Sequence, residues 1–400
     1  RETAARRAAM AGAGLVLGPA TPSLEAYSRA LRGEYRLLRL TERAKKDSRL
    51  AETEVVDLRE ELRSGNRSIF SRRLQELMEE TLERKEQIML FINRRGYSSF
   101  VSCRSCGEAL KCPHCDVSLT LHRNGRLKCH YCGYEIPMPD RCPSCGSPYI
   151  AGFGTGTQKI EELTRKMFPQ ARVLRMDMDT TSRKGGHEEI LAAFGDGEAD
   201  ILIGTQMIVK GHDFPRVTLV GVLAADLSLH APDFACGERT FQILTQAAGR
   251  AGRGEHAGRV VIQTYVPEHY SIQAAASQDY EMFYEEEMSY RRMLHYPPAV
   301  GMLTIVASSP KEEVLIQAAR GMREAAERAG TENMGEDVGQ ESGAQTPAEI
   351  IGPVDAPVYK VNDIYRKILY IKHENYDILL KIREQIEKLE LPVLLSFDMQ

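Results

Sequence analysis

Eight of the nine cysteines lie in four Cys-x-x-Cys pairs within a short segment. The pairs are Cys103 and Cys106, Cys112 and Cys115, Cys129 and Cys132, and Cys142 and Cys145. Each pair can place two thiolates at about 2.3 Å from a tetrahedral zinc ion. We therefore expect two Zn²⁺ ions, and both should be structural because four thiolates leave no coordination position open.

The spacing permits several ways of sharing the four pairs between two ions. One is a nested arrangement, in which the first pair combines with the fourth and the second with the third, so that the insert closes at its root and at its tip. We expect His114, His122 and His130 to be surface residues and not ligands. The ninth cysteine, Cys236, stands alone, and the pattern indicates a metal in a reducing cytosol.

A second candidate site is the loop GTQMIVKGHDFPRV, residues 204–217, which follows an apolar stretch. Glycines let backbone amides approach a phosphate, and a hydroxyl, an amide and a positive charge can add contacts at the carboxyl edge of a parallel sheet. The residues that could supply these groups are Gly204, Thr205, Gln206, Lys210 and Gly211. A loop with a purely structural role is the alternative.

A third candidate is TQAAGRAGRG, residues 245–254. Gln246, Arg250 and Arg253 stand at the end of a predicted helix, separated by small residues. Arginine offers a rigid, permanently charged fork to a phosphate, so the pair could stabilise the charge that develops in phosphoryl transfer. Solvated or salt-bridged arginines are the alternative. The chain contains no G-x-x-x-x-G-K-[ST] sequence and no DEAH-like tetrad that would hold that phosphate.

These candidates lie among short apolar segments that alternate with helical ones. The segments are strands near residues 88–92, 171–177, 199–205, 217–223 and 258–265, and helices near 71–85, 154–168, 187–194 and 238–250. Such alternation predicts a parallel, doubly wound sheet. Residue 302 onward predicts strands with two long helices, near 311–328 and 375–390, as in an α+β domain.

The composition is that of a soluble globular protein, with 400 residues, 42% hydrophobic and 27% charged. The net charge of −4 means that any contact with nucleic acid must come from local basic patches. No run of eighteen apolar residues is present, so we expect no membrane span. The opening residues lack the order of a signal peptide, and we expect Arg1 to lie inside a longer reading frame.

Several segments resemble the later motifs of superfamily 2 helicases, in the family's order. They are GPATPS (18–23), FINRRGYS (91–98), GTGTQ (154–158), GTQMIVKGHDFP (204–215) and QAAGRAGR (246–253). The cysteine insert falls between the second and third of them, and IGPVDAPVYKVNDIYRKILYIK (351–372) stands near the end. With these features, essentially the whole chain resembles the C-terminal part of the primosomal protein N-prime family of replication-restart helicases.

The resemblance implies roles for the candidate residues. Arg250 and Arg253 would contact ATP phosphates across the cleft between two RecA-like lobes, with Gln246 positioning water or phosphate. The P-loop and the Mg²⁺ site would come from residues before Arg1. Gly211 would lie at the nucleotide, and the DNA contacts would come from Gly204, Thr205, Gln206, Lys210, Arg94 and Arg95. Two departures from the family pattern are Pro19, where serine is usual, and Ala235, where arginine is expected.

The predicted fold class is α/β: a RecA-like doubly wound parallel lobe with a small two-zinc cysteine-rich insert and a C-terminal α+β domain. The predicted boundaries are 1–40 for the end of a first RecA-like lobe, 41–68 for a connector, 69–100 with 150–298 for the second lobe, 101–149 for the insert, and 299–400 for the C-terminal domain. Residues 330–347 are polar and should be disordered.

By resemblance, the function is an ATP-dependent 3′ to 5′ DNA helicase that acts at stalled or branched forks and starts primosome assembly. The implied cofactors are ATP and Mg²⁺ beside the two zinc ions. The implied partners are forked DNA, single-strand DNA-binding protein, and primosome and helicase-loader proteins, and we expect a monomer in the bacterial cytoplasm, associated with the nucleoid. The alternatives are a non-catalytic zinc scaffold that binds DNA and recruits replication proteins, and, less favoured, an RNA helicase.

Overall fold

A computed structural model describes most of the chain and divides it into two compact units, residues 1–41 and 42–400, which we describe separately. The described residues are 2–40, 50–92, 101–115, 117–122, 124–152, 156–177, 180–181, 185–208, 213–230, 233–252, 256–332 and 347–400. The helices are α1 Glu2–Met10, α2 Leu24–Leu31, α3 Leu58–Arg63, α4 Arg72–Glu83, α5 Thr157–Met167, α6 Gly186–Asp196, α7 Asp226–Leu229, α8 Cys236–Ala248, α9 Tyr270–Ser277, α10 Tyr280–Met293, α11 Glu312–Glu332 and α12 Tyr376–Glu387. The strands are β1 Glu52–Asp57, β2 Gln87–Phe91, β3 Val101–Cys103, β4 Thr120–Leu121, β5 Arg126–Lys128, β6 Glu135–Pro137, β7 Ile150–Gly152, β8 Val173–Met176, β9 Ile201–Gly204, β10 Val217–Val222, β11 Arg259–Thr264, β12 Gly301–Ser309, β13 Glu349–Val361, β14 Ile364–His373 and β15 Leu394–Met399.

The first unit contains α1 and α2. The hydroxyl of Ser23 accepts a hydrogen bond from the backbone N–H of Ala26 at 3.3 Å, which caps α2 as its sequence predicts. Leu24 and Tyr27 of α2 are buried, and the Arg39 guanidinium donates to the Tyr27 hydroxyl at 3.1 Å. The motif GPATPS therefore leads directly into a capped helix.

The second unit is built on a six-stranded parallel sheet in the order β1-β11-β10-β2-β9-β8. Every residue of β2 is buried, as expected for a strand covered on both faces. Ile88 and Leu90 of β2 lie in one core with Leu74 and Leu77 of α4, and Met89 faces the opposite side of the sheet. The predicted parallel α/β fold is confirmed.

The edge strand β1 lies within residues 41–68, the segment that the sequence predicts to be a connector. Residues 52–57 pair with β11 in parallel, and the Arg73 guanidinium of α4 bonds Glu54 at 2.8 Å. The segment ETEVVD contains only two apolar residues and is mostly half-buried. An edge strand needs less apolar surface than a central one, so hydrophobic periodicity alone did not reveal it.

The cysteine insert carries two small antiparallel sheets. Strands β3 and β7 pair at its root, and β4, β5 and β6 form a three-stranded sheet further out. The antiparallel pairing of β3 with β7 sets Val101 opposite Gly152 and Cys103 opposite Ile150. This geometry brings the first and last cysteine pairs together.

The C-terminal domain is a four-stranded antiparallel sheet in the order β13-β14-β12-β15 with α11 and α12 packed against it. This confirms the predicted α+β domain. Of the stretch predicted to be disordered, Gly330 to Glu332 complete α11, and residues 333–346 lie outside the described residues.

The insert and the C-terminal domain share one hydrophobic core. Val117, Leu127 and Tyr131 of the insert lie in the same buried cluster as Val354 and Tyr370 of the C-terminal sheet. The insert is therefore packed against the C-terminal domain and is not a free appendage. A search of the described helices finds none with the length and apolar character needed to cross a membrane.

Candidate metal centres and helicase motifs

Four cysteine sulfurs converge at the base of the insert, and we call this set the root centre. It consists of Cys103, Cys106, Cys142 and Cys145, whose sulfurs all lie within 4.8 Å of one another. The Sγ atoms of Cys103 and Cys145 are 3.7 Å apart, as are those of Cys106 and Cys142. A tetrahedron of zinc–sulfur bonds of 2.3 Å has edges of about 3.8 Å, so the spacing fits a zinc ion.

A second set of four sulfurs, which we call the tip centre, lies further out. It consists of Cys112, Cys115, Cys129 and Cys132, also within 4.8 Å of one another, and the Sγ atoms of Cys112 and Cys132 are 3.5 Å apart. The structure thus selects the nested arrangement from those that the spacing allows.

Three of the cysteine pairs are followed by a glycine that closes the turn. The backbone N–H groups of Gly107, Gly133 and Gly146 donate to the carbonyls of Cys103, Cys129 and Cys142 at 2.8, 3.0 and 2.8 Å. The φ angles of these glycines are +82°, +81° and +70°, a region that side chains disfavour. The sequence C-x-x-C-G therefore encodes the backbone turn that aims both sulfurs inward.

A divalent cation would stabilise the thiolate form of these clusters. Burial raises the pKa of the Cys106 thiol and of the Cys112 thiol to about 12. Several thiolates this close together would repel one another and lose hydration, whereas a divalent ion compensates both costs. The donor set consists of four soft sulfurs, which is the set that selects zinc in structural sites.

The root centre is seated against the parallel-sheet lobe. The Arg59 guanidinium donates to the Cys106 carbonyl at 3.4 Å and also bonds Asp57 and Glu268. A Cβ atom on Gly107 would lie 2.1 Å from the Tyr265 carbonyl oxygen, so the turn can approach this strand end only with glycine.

The tip centre is seated against the C-terminal domain instead. Tyr131, inside the Cys129–Cys132 turn, stacks on Tyr370 of β14 with centroids 4.8 Å apart. The Tyr296 hydroxyl donates to the Cys115 carbonyl at 3.3 Å. The tip centre therefore rests on the C-terminal sheet and on Tyr296, which precedes that sheet and stacks on Phe234 of the parallel-sheet lobe at 4.7 Å.

A charged contact reinforces the second of these attachments. Lys128 of β5 and Lys367 of β14 both bond the Asp355 carboxylate, at 2.7 Å each. Burial by itself raises the pKa of Asp355, but the hydrogen bonds and charges of the two lysines outweigh that effect and hold the pKa below its ordinary value. Asp355 lies within the segment IGPVDAPVYK, residues 351–360. Nothing in the sequence of this segment indicated a contact with the insert.

The three histidines of the insert do not all lie at the surface. His114 is exposed, but His130 is only 4% exposed, which corrects the prediction for that residue. The Nε2 atoms of His130 and His122 are 3.2 Å apart. Burial lowers the pKa of His130 to about 4, so its ring is uncharged near neutral pH. Both cysteine centres are complete without a histidine ligand.

The loop after β9 begins at the carboxyl edge of the sheet, as predicted. Gly204 pairs with Phe91 and Met176 at the last positions of β2 and β8. A Cβ on Gly204 would lie 2.5 Å from Ile208 Cγ2 and 2.9 Å from the Met176 carbonyl. Close packing therefore requires glycine here whether or not a phosphate binds. Thr205 and Gln206 follow in a half-buried turn.

The candidate nucleotide-binding residues lie toward the amino ends of the parallel strands. Gln246 is in the last turn of α8, and Arg250 follows its C-cap, with both side chains half-buried. The N–H of Gly252 donates to the carbonyl of Val217, the first residue of β10, at 3.1 Å. Since Gly204 ends a strand and Val217 begins one, the two predicted groups of residues lie at opposite strand ends. Ala235 occupies the N-cap position of α8.

Five of the predicted site residues lie outside the described part of the chain, so their roles stay predictions. They are Arg94, Arg95, Lys210, Gly211 and Arg253.

Comparison with known proteins identifies the class that this fold and these centres define. Residues 150–255 match the helicase conserved C-terminal domain, residues 112–137 match the PriA DNA helicase Cys-rich region domain, and residues 292–392 match the primosomal protein N C-terminal domain. The parallel-sheet lobe is therefore a RecA-like helicase lobe that carries a cysteine-rich zinc region.

Individual relatives narrow this class to one family. The replication restart protein PriA of Bacillus subtilis (strain 168) is 52% identical over 375 residues, which cover 94% of this chain and 45% of the relative. That of Synechocystis sp. is 42% identical over 398 residues, which cover 97% of this chain and 46% of the relative. The chain belongs to the PriA family of replication restart proteins, and it spans about half the length of these relatives.

Solved structures add little beyond this. Yeast Dbp5 bound to RNA and ADP BeF3 is 12% identical with a TM-score of 0.33, over 71% of this chain and 55% of that chain. A likeness at this level carries no argument about function.

Proposed function

We propose that this chain supplies the second RecA-like lobe, the zinc region and the C-terminal domain of an ATP-dependent 3′ to 5′ DNA helicase that restarts replication at stalled or branched forks. The observation that carries the proposal is the order of matched segments: a cysteine-rich region named for PriA lies beside a helicase C-terminal domain and is followed by the C-terminal domain of the same family.

In this proposal the arginines act on a nucleotide that another part of the protein holds. Arg250 and Arg253 contact the ATP phosphates across a cleft, and Gln246 positions water or phosphate. Gly211 is a further nucleotide-binding residue in this proposal. A half-buried arginine next to a helix end suits this role, because partial desolvation strengthens its interaction with a phosphate.

The DNA contacts belong to the opposite strand ends. Gly204, Thr205 and Gln206 are placed at the carboxyl edge, where ligands of open α/β sheets bind. Together with Lys210, Arg94 and Arg95 they hold the DNA backbone. The β9–β10 connection joins the carboxyl end of one strand to the amino end of the other. Through it, contact with DNA would be coupled to the nucleotide state.

The zinc centres have a structural part in this scheme. Four thiolates close the coordination sphere of each ion, so the ions hold the insert in shape and perform no hydrolysis. Their attachments to the lobe and to the C-terminal domain support a fork-binding surface. Single-strand DNA-binding protein, primosome proteins and a helicase loader are the proposed protein partners.

The experiment that tests the proposal uses the complete reading frame that contains this chain. The purified protein is mixed with ATP and with forks that carry either a 3′ or a 5′ single-stranded arm, and unwinding is followed by strand release. We expect ATP-dependent unwinding of the substrate that permits 3′ to 5′ movement.

Two other results would contradict it. Binding to forks without ATP turnover would favour a non-catalytic zinc scaffold that recruits replication proteins. Unwinding of RNA duplexes in preference to DNA forks would favour an RNA helicase.

A further inference from the structure

The two metal centres differ in how far their sulfurs are shielded from solvent. In the root centre Cys145 is exposed and Cys106 is half-buried, while Cys103 and Cys142 are buried. In the tip centre Cys112, Cys115 and Cys129 are buried, and Cys132 is half-buried. Only the root centre therefore presents an exposed thiolate.

We propose that Cys145 is an oxidation site, at which a peroxide opens the root centre and releases its zinc ion while the tip centre keeps its own. The thiolate is the form of cysteine that attacks a peroxide oxygen, and zinc keeps a bound cysteine as the thiolate at neutral pH. Among such thiolates, the more solvent-exposed ones are oxidised more readily.

The surroundings of each centre support this difference. Around Cys145 the neighbouring residues Pro143, Ser144 and Gly146 are exposed as well, so a small oxidant can reach the sulfur. Three of the four tip cysteines lie in the core that the insert shares with the C-terminal domain, where Tyr131 and Tyr296 are 6% and 3% exposed, whereas the root centre contributes only Cys103 and Cys142 to that core. An oxidant could reach most of the tip sulfurs only after that contact opens.

The reaction balances with peroxide as the oxidant. The Cys145 thiolate attacks one oxygen of H₂O₂, the O–O bond breaks, and a sulfenic acid and a hydroxide ion form. The Cys103 thiolate, 3.7 Å away, then attacks the Cys145 sulfur, a disulfide forms, and a second hydroxide leaves. Two thiolates lose two electrons in total and the peroxide gains them. Zinc is left with two ligands, Cys106 and Cys142, and dissociates.

Zinc loss at the root would weaken one attachment of the insert and spare the other. The contacts at risk are the Arg59 hydrogen bond to the Cys106 carbonyl and the close approach of Gly107 to Tyr265. The stack of Tyr131 on Tyr370 involves no residue of the root centre. Oxidation would thus loosen the insert from the parallel-sheet lobe while the insert stays on the C-terminal domain.

The test treats the zinc-loaded protein with hydrogen peroxide and follows zinc release with a chromophoric chelator. We expect two phases of one ion each, and peptide mapping at the end of the first phase should find a Cys103–Cys145 disulfide. Release of both ions in one phase, or a first disulfide within the tip centre, would overturn the proposal.

Two matched variants sharpen the result, because histidine can replace a zinc thiolate but does not form a disulfide. Cys145→His should slow the first phase by about tenfold or more, whereas Cys132→His at the tip should leave it unchanged. Equal effects of the two variants would contradict the proposal. If Cys145→His fails to hold zinc, the disulfide map of the unaltered protein decides.

Hydrogen exchange provides a readout of the attachment itself. After the first phase, the amides of Gly107 and Gly146, which bond root carbonyls, should lose protection, and the amide of Gly133 at the tip should keep it. Simultaneous loss at Gly133 would show that the two centres open together and would overturn the proposal.

Discussion

The ring of Tyr131 stacks on the ring of Tyr370, with centroids 4.8 Å apart and planes inclined by 16°. One ring belongs to a zinc-binding turn and the other to the C-terminal sheet, so residues far apart in the sequence meet in one buried core. Both rings are buried, so the tip centre and the C-terminal domain stabilise each other.

This contact leads to a prediction about Tyr131. Tyr131→Ala removes a buried ring and should lower the opening free energy of the tip centre by about 3–5 kcal/mol, whereas Tyr131→Phe, which keeps the stack, should cost about 1 kcal/mol. The measurement is native-state hydrogen exchange at the Gly133 amide, which bonds the Cys129 carbonyl. Equal effects of the two variants would show that the ring stack contributes little.

The metal content is a second prediction. Elemental analysis should give two zinc ions per chain, because the eight cysteines form two complete four-sulfur sets. Cys112→Ser should remove the tip ion and Cys103→Ser the root ion, each leaving one. A single ion in the unaltered protein would rule out two independent centres.

The ion pairs at Asp355 predict a dependence on pH. Because the two lysines hold its pKa below the ordinary value, the folded state binds the proton less readily than the unfolded chain does. The stabilisation, about 1 kcal/mol, should therefore be present above pH ~4 and be lost as the pH falls further.

The measurement compares the stability of the protein with that of Asp355→Asn across this range, so that acid effects on the zinc centres cancel. Asp363→Asn is the matched control, because Asp363 is 92% exposed and pairs with the nearby Lys360. A difference for Asp355→Asn that stays constant with pH would contradict the assignment.

A fourth prediction concerns the arginine motif in the complete protein. Arg253→Ala should lower DNA-stimulated ATP turnover by ~10³-fold or more, as loss of an arginine finger does, and leave DNA affinity nearly unchanged. Arg383→Ala is the control, since Arg383 pairs with Glu387 on the surface of α12. Unchanged turnover in Arg253→Ala would remove the proposed role.

Local patterns were sufficient for the parts of this protein whose structure depends on near neighbours. The C-x-x-C-G turns, the Ser23 cap and the buried strand β2 all follow from a few adjacent residues. Alternation of such segments was sufficient for the parallel lobe and the α+β domain. The motif order further predicted the family to which the chain belongs.

Contacts between distant segments could not be predicted in this way. The strand β1 was missed because an edge strand needs few apolar residues, and His130 was misplaced because its burial depends on how the insert packs. The sharing of cysteine pairs stayed open for the same reason, since spacing constrains each turn but not which turns meet.

The sequence by itself determined which residues can bind zinc, where the central strands and the helices beside them lie, and the order of the helicase motifs, because each of these is a property of neighbouring residues. Only the tertiary structure decided that the root centre rests on the parallel-sheet lobe, that the tip centre rests on the C-terminal domain, and that Cys145 alone among the zinc-site sulfurs is exposed. These properties depend on which surfaces exclude water from one another, and that is settled by packing across the whole unit.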